Sequence, residues 1–196
     1  MMDTNPQELE IKLRFPTIIE ARAAVVAAGG EPYRPRRLQR DYLFDTADGS
    51  VRARRSLLRV RLEPSSAAIT LKGPPRPSMM KLREELETTV GDGPLLLRLL
   101  EGLGFAVWFR YEKYREEFRL HGVVVAVDET PAGVFVELEG SHDGITLAAH
   151  ALGKTPEDYV LDSYRGLFAR QCQDQGMPLT DMLFDVSSRV TSEPAR

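Results

Sequence analysis

Glu8-Leu9-Glu10-Ile11-Lys12-Leu13 alternates a charged and an aliphatic side chain at every step. In an extended strand, residues two apart share a face. The stretch therefore sets two carboxylates and an ammonium on one side, and Leu9, Ile11 and Leu13 on the other. The alternation returns further along. In 57–62, Arg59 and Arg61 oppose Leu58, Val60 and Leu62; in 68–72, Thr70 and Lys72 oppose Ile69 and Leu71. In 81–90, Arg83, Glu85 and Glu87 oppose Leu82 and Leu86. Lys113 and Arg115 form a similar pair ahead of Phe118 and Leu120, Asp128 closes the run from Val123 to Val127, and Glu137 and Glu139 oppose Val136 and Leu138. One such strand is an ordinary solvated face. A whole set implies a sheet whose greasy side is packed by helices, while its charged side either meets water or closes on itself to line a polar channel.

The 196 residues suffice for one globular domain, read here as 1–186, with a tail from 187 to 196 expected to be disordered. A net charge of -3 gives no reason to expect a membrane or nucleic-acid partner. The lone cysteine, Cys172, excludes an intramolecular disulfide framework and suits a reducing compartment. No apolar run reaches membrane-spanning length and the N-terminus lacks a basic-then-apolar leader pattern, so a cytoplasmic location is expected.

Along the chain, a strand over 7–15 ends at Pro16, and an Ala-rich helix over 17–28 is closed by Gly29-Gly30. An extended segment covers 38–45, a turn 46–50, and two strands 57–62 and 68–72. Gly73-Pro74-Pro75-Arg76-Pro77 reads as an exposed loop, because each proline removes a donor and fixes φ. A strand over 81–90, a helix over 94–104, strands over 111–120, 122–128 and 133–140, and helices over 144–152 and 156–175 complete the reading.

Closing the charged faces around a cavity carries a large desolvation cost unless the charges are paired. Glu8, Glu10, Glu137 and Glu139 together would repel one another, which calls for protonation or a cation. Oxygen donors without His or Cys suit a hard divalent ion such as Mg²⁺ or Mn²⁺. Lys12, Arg59, Arg61, Lys72, Lys113 and Arg115 are the complement a polyanion needs, with Arg gripping phosphate oxygens bidentately and Lys acting as a point charge. Carboxylates for a metal facing several cations describe a polyphosphate site.

The Glu8-x-Glu10-x-Lys12 signature resembles the CYTH superfamily, the triphosphate tunnel metalloenzymes, which include class IV adenylyl cyclases, thiamine triphosphatases and inorganic triphosphatases. The resemblance runs over about 7 to 170. It continues through Gln39-Arg40-Asp41, Phe44-Asp45-Thr46, Leu58-Arg59-Val60-Arg61, Thr70-Leu71-Lys72-Gly73, Arg83-x-Glu85-x-Glu87, Lys113-x-Arg115, Asp128 and Val136-Glu137-Leu138-Glu139. It implies an α+β fold, an eight-stranded antiparallel closed β-barrel with helices packed outside. It also implies that Glu8, Glu10, Asp128, Glu137 and Glu139 hold one or two Mg²⁺ or Mn²⁺ ions. Lys12, Arg59, Arg61, Lys72, Lys113 and Arg115 would then bind phosphate, and Arg83, Glu85 and Glu87 would orient these groups. Glu8, Glu10, Lys12, Glu137 and Glu139 are the catalytic candidates. One departure stands out: where the family places an aromatic residue two positions after the second-strand aspartate, this chain has Leu43, beside Tyr42.

The functional expectation is metal-dependent hydrolysis of a linear triphosphate, inorganic or organic. The alternatives are a class IV adenylyl cyclase making cyclic AMP and pyrophosphate from ATP, and a non-catalytic module binding polyphosphate or an RNA 5′-triphosphate end. Elsewhere, His121, His142 and His150 lack ligand spacing, no glycine-rich phosphate loop is present, and Cys172 reads as structural. Arg34, Arg36, Arg37, Arg40, Arg52, Arg54 and Arg55 read as a solvated exterior rather than an RNA patch, since aromatics are not interleaved with them. Ser163-Tyr164-Arg165, placed in the last helix, is similar to a Ser-Tyr found in some cyclase-like relatives.

Overall fold

The computed structural model describes residues 7–185. Among them, nine strands and five helices follow in the order β1 (Gln7–Phe15), α1 (Ile18–Ala27), β2 (Glu31–Thr46), α2 (Ser50–Ala53), β3 (Leu57–Glu63), β4 (Ser66–Lys72), β5 (Lys81–Val90), α3 (Gly93–Gly102), β6 (Phe105–Leu120), β7 (Val123–Thr130), β8 (Gly133–Glu139), α4 (His142–Ala151), β9 (Tyr159–Val160) and α5 (Tyr164–Asp174). Neighbours in the sheet run β5-β4-β3-β2-β6-β7-β8-β1, and β5 pairs back onto β1, so eight antiparallel strands close into a barrel. Glu8 lies opposite Arg83 at the closing seam, while Glu10 and Lys12 lie opposite Glu139 and Glu137 on the other edge of β1. Closure removes the sheet edges and turns the charged faces singled out above inward, apart from Asp128.

The greasy faces point out and are largely covered, except on β4 and β5, where Leu71 and Leu86 stay 43% and 48% exposed. Ile11 and Leu13 of β1, Phe118 of β6, Val125 and Val127 of β7 and Leu138 of β8 bury against Ala21 and Val25 of α1 and Ile145 and Ala148 of α4. A smaller cluster around Phe44, Val60 and Leu100 seats α3 on β2, β3 and β6. The helix ends follow local chemistry. Thr17 caps α1 by accepting from the Glu20 N–H, and the helix closes through Gly29 at φ 89, a left-handed position that favours glycine. Among the described residues no helix is long and apolar enough to cross a membrane. The expected tail from 187 to 196 lies outside the described residues.

Three boundaries differ from the sequence reading. β2 starts at Glu31 and β6 at Phe105, and they pair along most of their length. Pro32 and Pro35 hide this arm, but the ladder absorbs them through register shifts between Pro32 and Arg37. The turn after β2 contains one helical turn, α2, because Asp45 accepts from the Val51 and Arg52 N–H groups. The expected helix over 156–175 is three pieces. Pro156–Asp158 forms a 3₁₀ turn, Tyr159–Val160 pairs with Leu13 and Lys12 on the edge of β1 beyond its pairing with β5, and Ser163 starts α5 by accepting from the Gly166 N–H at 3.1 Å.

One end of the barrel is filled. Leu43, Phe109 and Phe135 pack there with Tyr111, Tyr164 and Leu167, so α5 covers that end. Leu43, the departure from the family pattern, is a core residue, 2 % exposed.

Candidate functional site: a charged tunnel

Thirteen of the residues singled out from sequence line one cavity of about 480 Å³: Glu8, Glu10, Lys12, Arg59, Arg61, Lys72, Arg83, Glu85, Glu87, Lys113, Arg115, Glu137 and Glu139. Asp128 is the one the structure places elsewhere. It is fully buried behind the wall, where Arg115 donates to both its oxygens at 2.7 and 2.5 Å, Lys113 donates at 2.9 Å and the Tyr164 hydroxyl at 2.6 Å. Its acceptor capacity is spent on fixing those three groups.

The charges are arranged by strand. β1 and β8 form an acidic seam, with Glu10 directly opposite Glu139, and cations stand on β3, β4 and β6. The seam is interleaved with lysines, which corrects the expectation of four mutually repelling acids. Lys72 donates to both oxygens of Glu8, at 2.5 and 2.6 Å. Lys12 lies 3.0 Å from Glu10 and 3.2 Å from Glu137, and Lys81 also contacts Glu10. Arg115 contacts Glu137 as well as Asp128. On the cationic side, Arg61 binds Asp41 at 2.9 Å, and Arg59 reaches Thr70 at 3.0 Å and Glu87 at 3.2 Å. Glu85 sits 3.0 Å from Lys72, and Arg83 donates to the backbone carbonyls of Gly73 and Arg55.

Burial and pairing set the protonation states. Burial pushes Lys12 down, but Glu10 and Glu137 outweigh it and leave its pKa well above that of a free lysine. Burial likewise opposes charge on Glu137, yet Lys12, Arg115 and Lys113 hold it well below the usual carboxylate range. Lys113 goes the other way: burial, reinforced by Arg115, brings it down to about 8. Glu139 is raised to about 7, by burial first and then by Glu8 and Glu137. Its carboxyl opens to tunnel water while the concave wall surrounds it with protein, so it is accessible and partly desolvated at once.

Glu139 bears on whether the site suits a divalent cation. Like charges directly across a ladder destabilise it, and a cation at the Glu10–Glu139 step would relieve both that repulsion and the raised Glu139. The donors there are all carboxylate oxygens, the chemistry of Mg²⁺ or Mn²⁺. Among the described residues no three carboxylates converge as a ready-made cage, because lysines stand between them. The residues fit a metal that arrives with an anion to take the lysines over.

Sequence reasoning missed several lining residues. Lys81 shares the parity of Arg83, Glu85 and Glu87, and Tyr111 and Glu117 share that of Lys113 and Arg115, so both were legible. Arg34 and Arg37, expected outside, line the tunnel mouth. Arg37 bridges Glu63 at 2.8 Å and Glu117 at 3.0 Å, because it shares parity with the buried Gln39 and Asp41. Tyr164 comes from a helix and left no strand signal; Lys113 and Lys12 stand 4.9 and 5.2 Å from its ring centre.

The family profile of the CYTH domain matches residues 6–161. The chain belongs to the CYTH family. A Methanocaldococcus jannaschii protein, whose name assigns it provisionally to the adenylate cyclases, is 30% identical over 107 residues, 54% of this chain and 61% of its own length. Among solved structures, a provisionally named adenylate cyclase of Vibrio parahaemolyticus superimposes with a TM-score of 0.74 at 17% identity, over 85% of this chain and 99% of that one. A Pyrococcus horikoshii protein gives 0.69 at 25% identity, over 82% and 98%. A Hippeastrum protein, described as a provisional adenylyl cyclase that reveals a dominant triphosphatase activity, gives 0.57 at 21% identity, over 94% and 95%.

Proposed function

We propose that the protein is a divalent-metal-dependent triphosphatase of the cytoplasm, hydrolysing a linear triphosphate inside the barrel. The observation that carries this reading is the facing of an acidic seam on β1 and β8 by Arg59, Arg61, Lys72, Lys113 and Arg115 across one tunnel. Glu8, Glu10, Glu137 and Glu139 would hold Mg²⁺ or Mn²⁺, which when bound offsets phosphate charge and supplies an activated water. Lys12, Lys72 and Lys81, now on carboxylates, would pass to phosphate oxygens as the carboxylates pass to the metal. This exchange of partners makes metal and polyphosphate bind together better than either alone. Arg59 and Arg61, braced by Asp41, Thr70 and Glu87, would stabilise charge on the transferring group. Asp128 is assigned to clamping Lys113 and Arg115 rather than to the metal.

Cyclisation of ATP is the second reading, favoured by the names of the Methanocaldococcus and Vibrio relatives; the Hippeastrum protein's description favours hydrolysis. The test is product analysis on tripolyphosphate, ATP and thiamine triphosphate with Mg²⁺ and Mn²⁺. Orthophosphate release supports the proposal, cyclic AMP with pyrophosphate replaces it by the cyclase, and unchanged ligand with retained binding leaves only a binding module.

Replacing Arg59 or Arg61 with Ala is expected to lower kcat/KM at least tenfold. A charge-assisted hydrogen bond in a desolvated site contributes about 1.5–3 kcal/mol. Arg36 lies outside, paired with Glu129 at 2.7 Å and stacked 3.8 Å from the Tyr114 ring centre, so Arg36→Ala is the matched control and should change kcat/KM less than twofold. Equal losses at Arg36 and Arg59 would show that the tunnel is not where substrate binds.

The pH profile has a defined alkaline limb. Lys113 must be protonated to attract phosphate, and its lowered pKa means that charge is lost near pH 8, where a free lysine would keep it. The profile of kcat/KM reports the free enzyme, so it should fall as pH rises through about 8. In Lys113→Arg the limb should move up by more than a unit, since guanidinium stays charged. A limb that stays put in that variant would assign it to another group.

A further inference from the structure

A second cleft, of about 580 Å³, opens beside the filled end of the barrel and shares Leu57, Lys81, Arg83, Tyr111 and Tyr164 with the tunnel. Its apolar wall includes Leu43, Met80 and Trp108, and five arginines line it, Arg52, Arg55, Arg76, Arg83 and Arg165, against one carboxylate, Asp162, which is itself paired with Arg170 at 2.5 Å. Trp108 is there because of a bulge. Leu43 pairs with Phe109 while Phe44 pairs with Val107, which leaves Trp108 as an extra residue in β6. A bulge of this kind re-aims a side chain, and bulges recur beside functional sites.

The guanidinium of Arg52 lies 4.5 Å and that of Arg165 4.8 Å from the indole centre. Arg52 is balanced by Asp45 at 2.6 Å. Arg165 is not: its Nε is buried without a hydrogen-bond partner, and among the described residues no carboxylate pairs with it. Burial and the neighbouring Arg52 both work against its charge. Arg55 holds a left-handed backbone at φ 56, unusual outside glycine, and its carbonyl accepts from Arg83 of the tunnel wall at 3.2 Å. Strain of this sort gathers at ligand clamps. An uncompensated guanidinium stacked on an indole, at the open side of an apolar cleft continuous with a cation-lined tunnel, is a binding surface for a planar group that is not itself positive.

We infer that this cleft is the specificity site of the enzyme: it takes the aromatic group of an organic triphosphate whose phosphates lie in the tunnel, admits a neutral or anionic ring system and rejects a cationic one. The inference rests on the triphosphate reading of the tunnel. Its ligand class is an aromatic nucleoside triphosphate rather than bare tripolyphosphate or thiamine triphosphate, whose organic group carries a fixed positive charge. Of the five arginines only Arg52 is tied to an acid among the described residues, and the lining acid Asp162 is already held by Arg170, so the balance of charge in the cleft would oppose that group.

Trp108 is the only tryptophan in the chain, so its fluorescence, excited at the red edge of its absorption, reports on the cleft alone. ATP, tripolyphosphate and thiamine triphosphate are titrated with Ca²⁺ in place of Mg²⁺ to suppress turnover, and the melting temperature is followed in parallel. The expected result is that ATP and tripolyphosphate both raise the melting temperature, while only ATP changes the Trp108 emission. Thiamine triphosphate should leave the emission unchanged. Arg165→Ala should lower the ratio of ATP to tripolyphosphate affinity about tenfold, with Arg165→Lys in between because it keeps charge and loses the planar stack. If both phosphates raise the melting temperature but Trp108 does not respond to ATP, or the affinity ratio is unmoved in Arg165→Ala, the cleft inference is overturned and the tunnel reading stands. If neither phosphate raises the melting temperature, the tunnel reading falls and takes the inference with it.

Discussion

The double substitution Glu8→Gln, Glu10→Gln is expected to reduce turnover by at least about a thousandfold while leaving a folded barrel, each lost charge–metal contact removing several kcal/mol of charge stabilisation. Glutamine keeps the size of each side chain and can still accept from Lys72, Lys12 or Lys81, but it offers a cation no charge. The structure also sets a cost that crowding of acids alone would not suggest. Lys72 and Lys12 are 8 % and 2 % exposed, and neutralising their partners leaves buried ammoniums less well compensated. A melting temperature a few degrees below the parent is therefore expected, together with loss of the extra tripolyphosphate affinity that Mg²⁺ confers. Full turnover of this variant at limiting Mg²⁺ would falsify the metal seam. A variant that unfolds would show that the carboxylates serve the fold first; the single substitutions, each leaving one acid of β1 charged, then isolate the catalytic loss.

The barrel was legible because its signal is a parity. Along β1, β3 and β8 charged and aliphatic residues alternate, and the same parity recurs in β4 around Thr70 and Lys72 and in β5 around Arg83, Glu85 and Glu87 despite Glu84; a period of two can be read without knowing the partners. Lys81 and Glu117 follow that parity and could have been named from it. The failures sit where parity is broken or irrelevant. Prolines obscure the arm of β2 from Glu31 to Arg37, and register shifts there carry Arg34 and Arg37 into the mouth. The bulge at Trp108 redirects a ring in a way that depends on the pairing with β2, which no local pattern encodes. Tyr164 enters the wall from α5, and only the break of the expected helix at Ser163 brings it there.

Charge was legible by type but not by partner. The alternation shows that acids and bases share one face. It does not show that Lys72 bridges Glu8, or that Glu139 is left beside Glu10 and Glu8 with no ion-paired lysine among the described residues. These pairings are set by the stagger of the closed barrel, which brings β5 and β8 to opposite edges of β1. The same stagger separates Asp128 from the seam, since it lies opposite Phe135 rather than Glu137.

Asp128→Ala should produce a larger loss of stability than any single change among the residues that line the tunnel. Asp128 has zero exposure and holds a buried lysine, a buried arginine and a buried tyrosine hydroxyl on two oxygens. Removing one partner of a buried ion pair costs about 3–5 kcal/mol, because an uncompensated charge remains, and in a domain of this size that lowers the melting temperature by roughly 10 °C. The loss should be recovered in part by adding Lys113→Met, which removes one of the stranded charges at similar volume. A void left by the aspartate would not respond to that second change. The metal-ligand role first expected of Asp128 gives a different pattern: little change in melting temperature, and activity restored by raising Mg²⁺. Observing that pattern would move Asp128 back into the acidic seam and leave Lys113 and Arg115 to be held by Glu137, their one other carboxylate contact among the described residues.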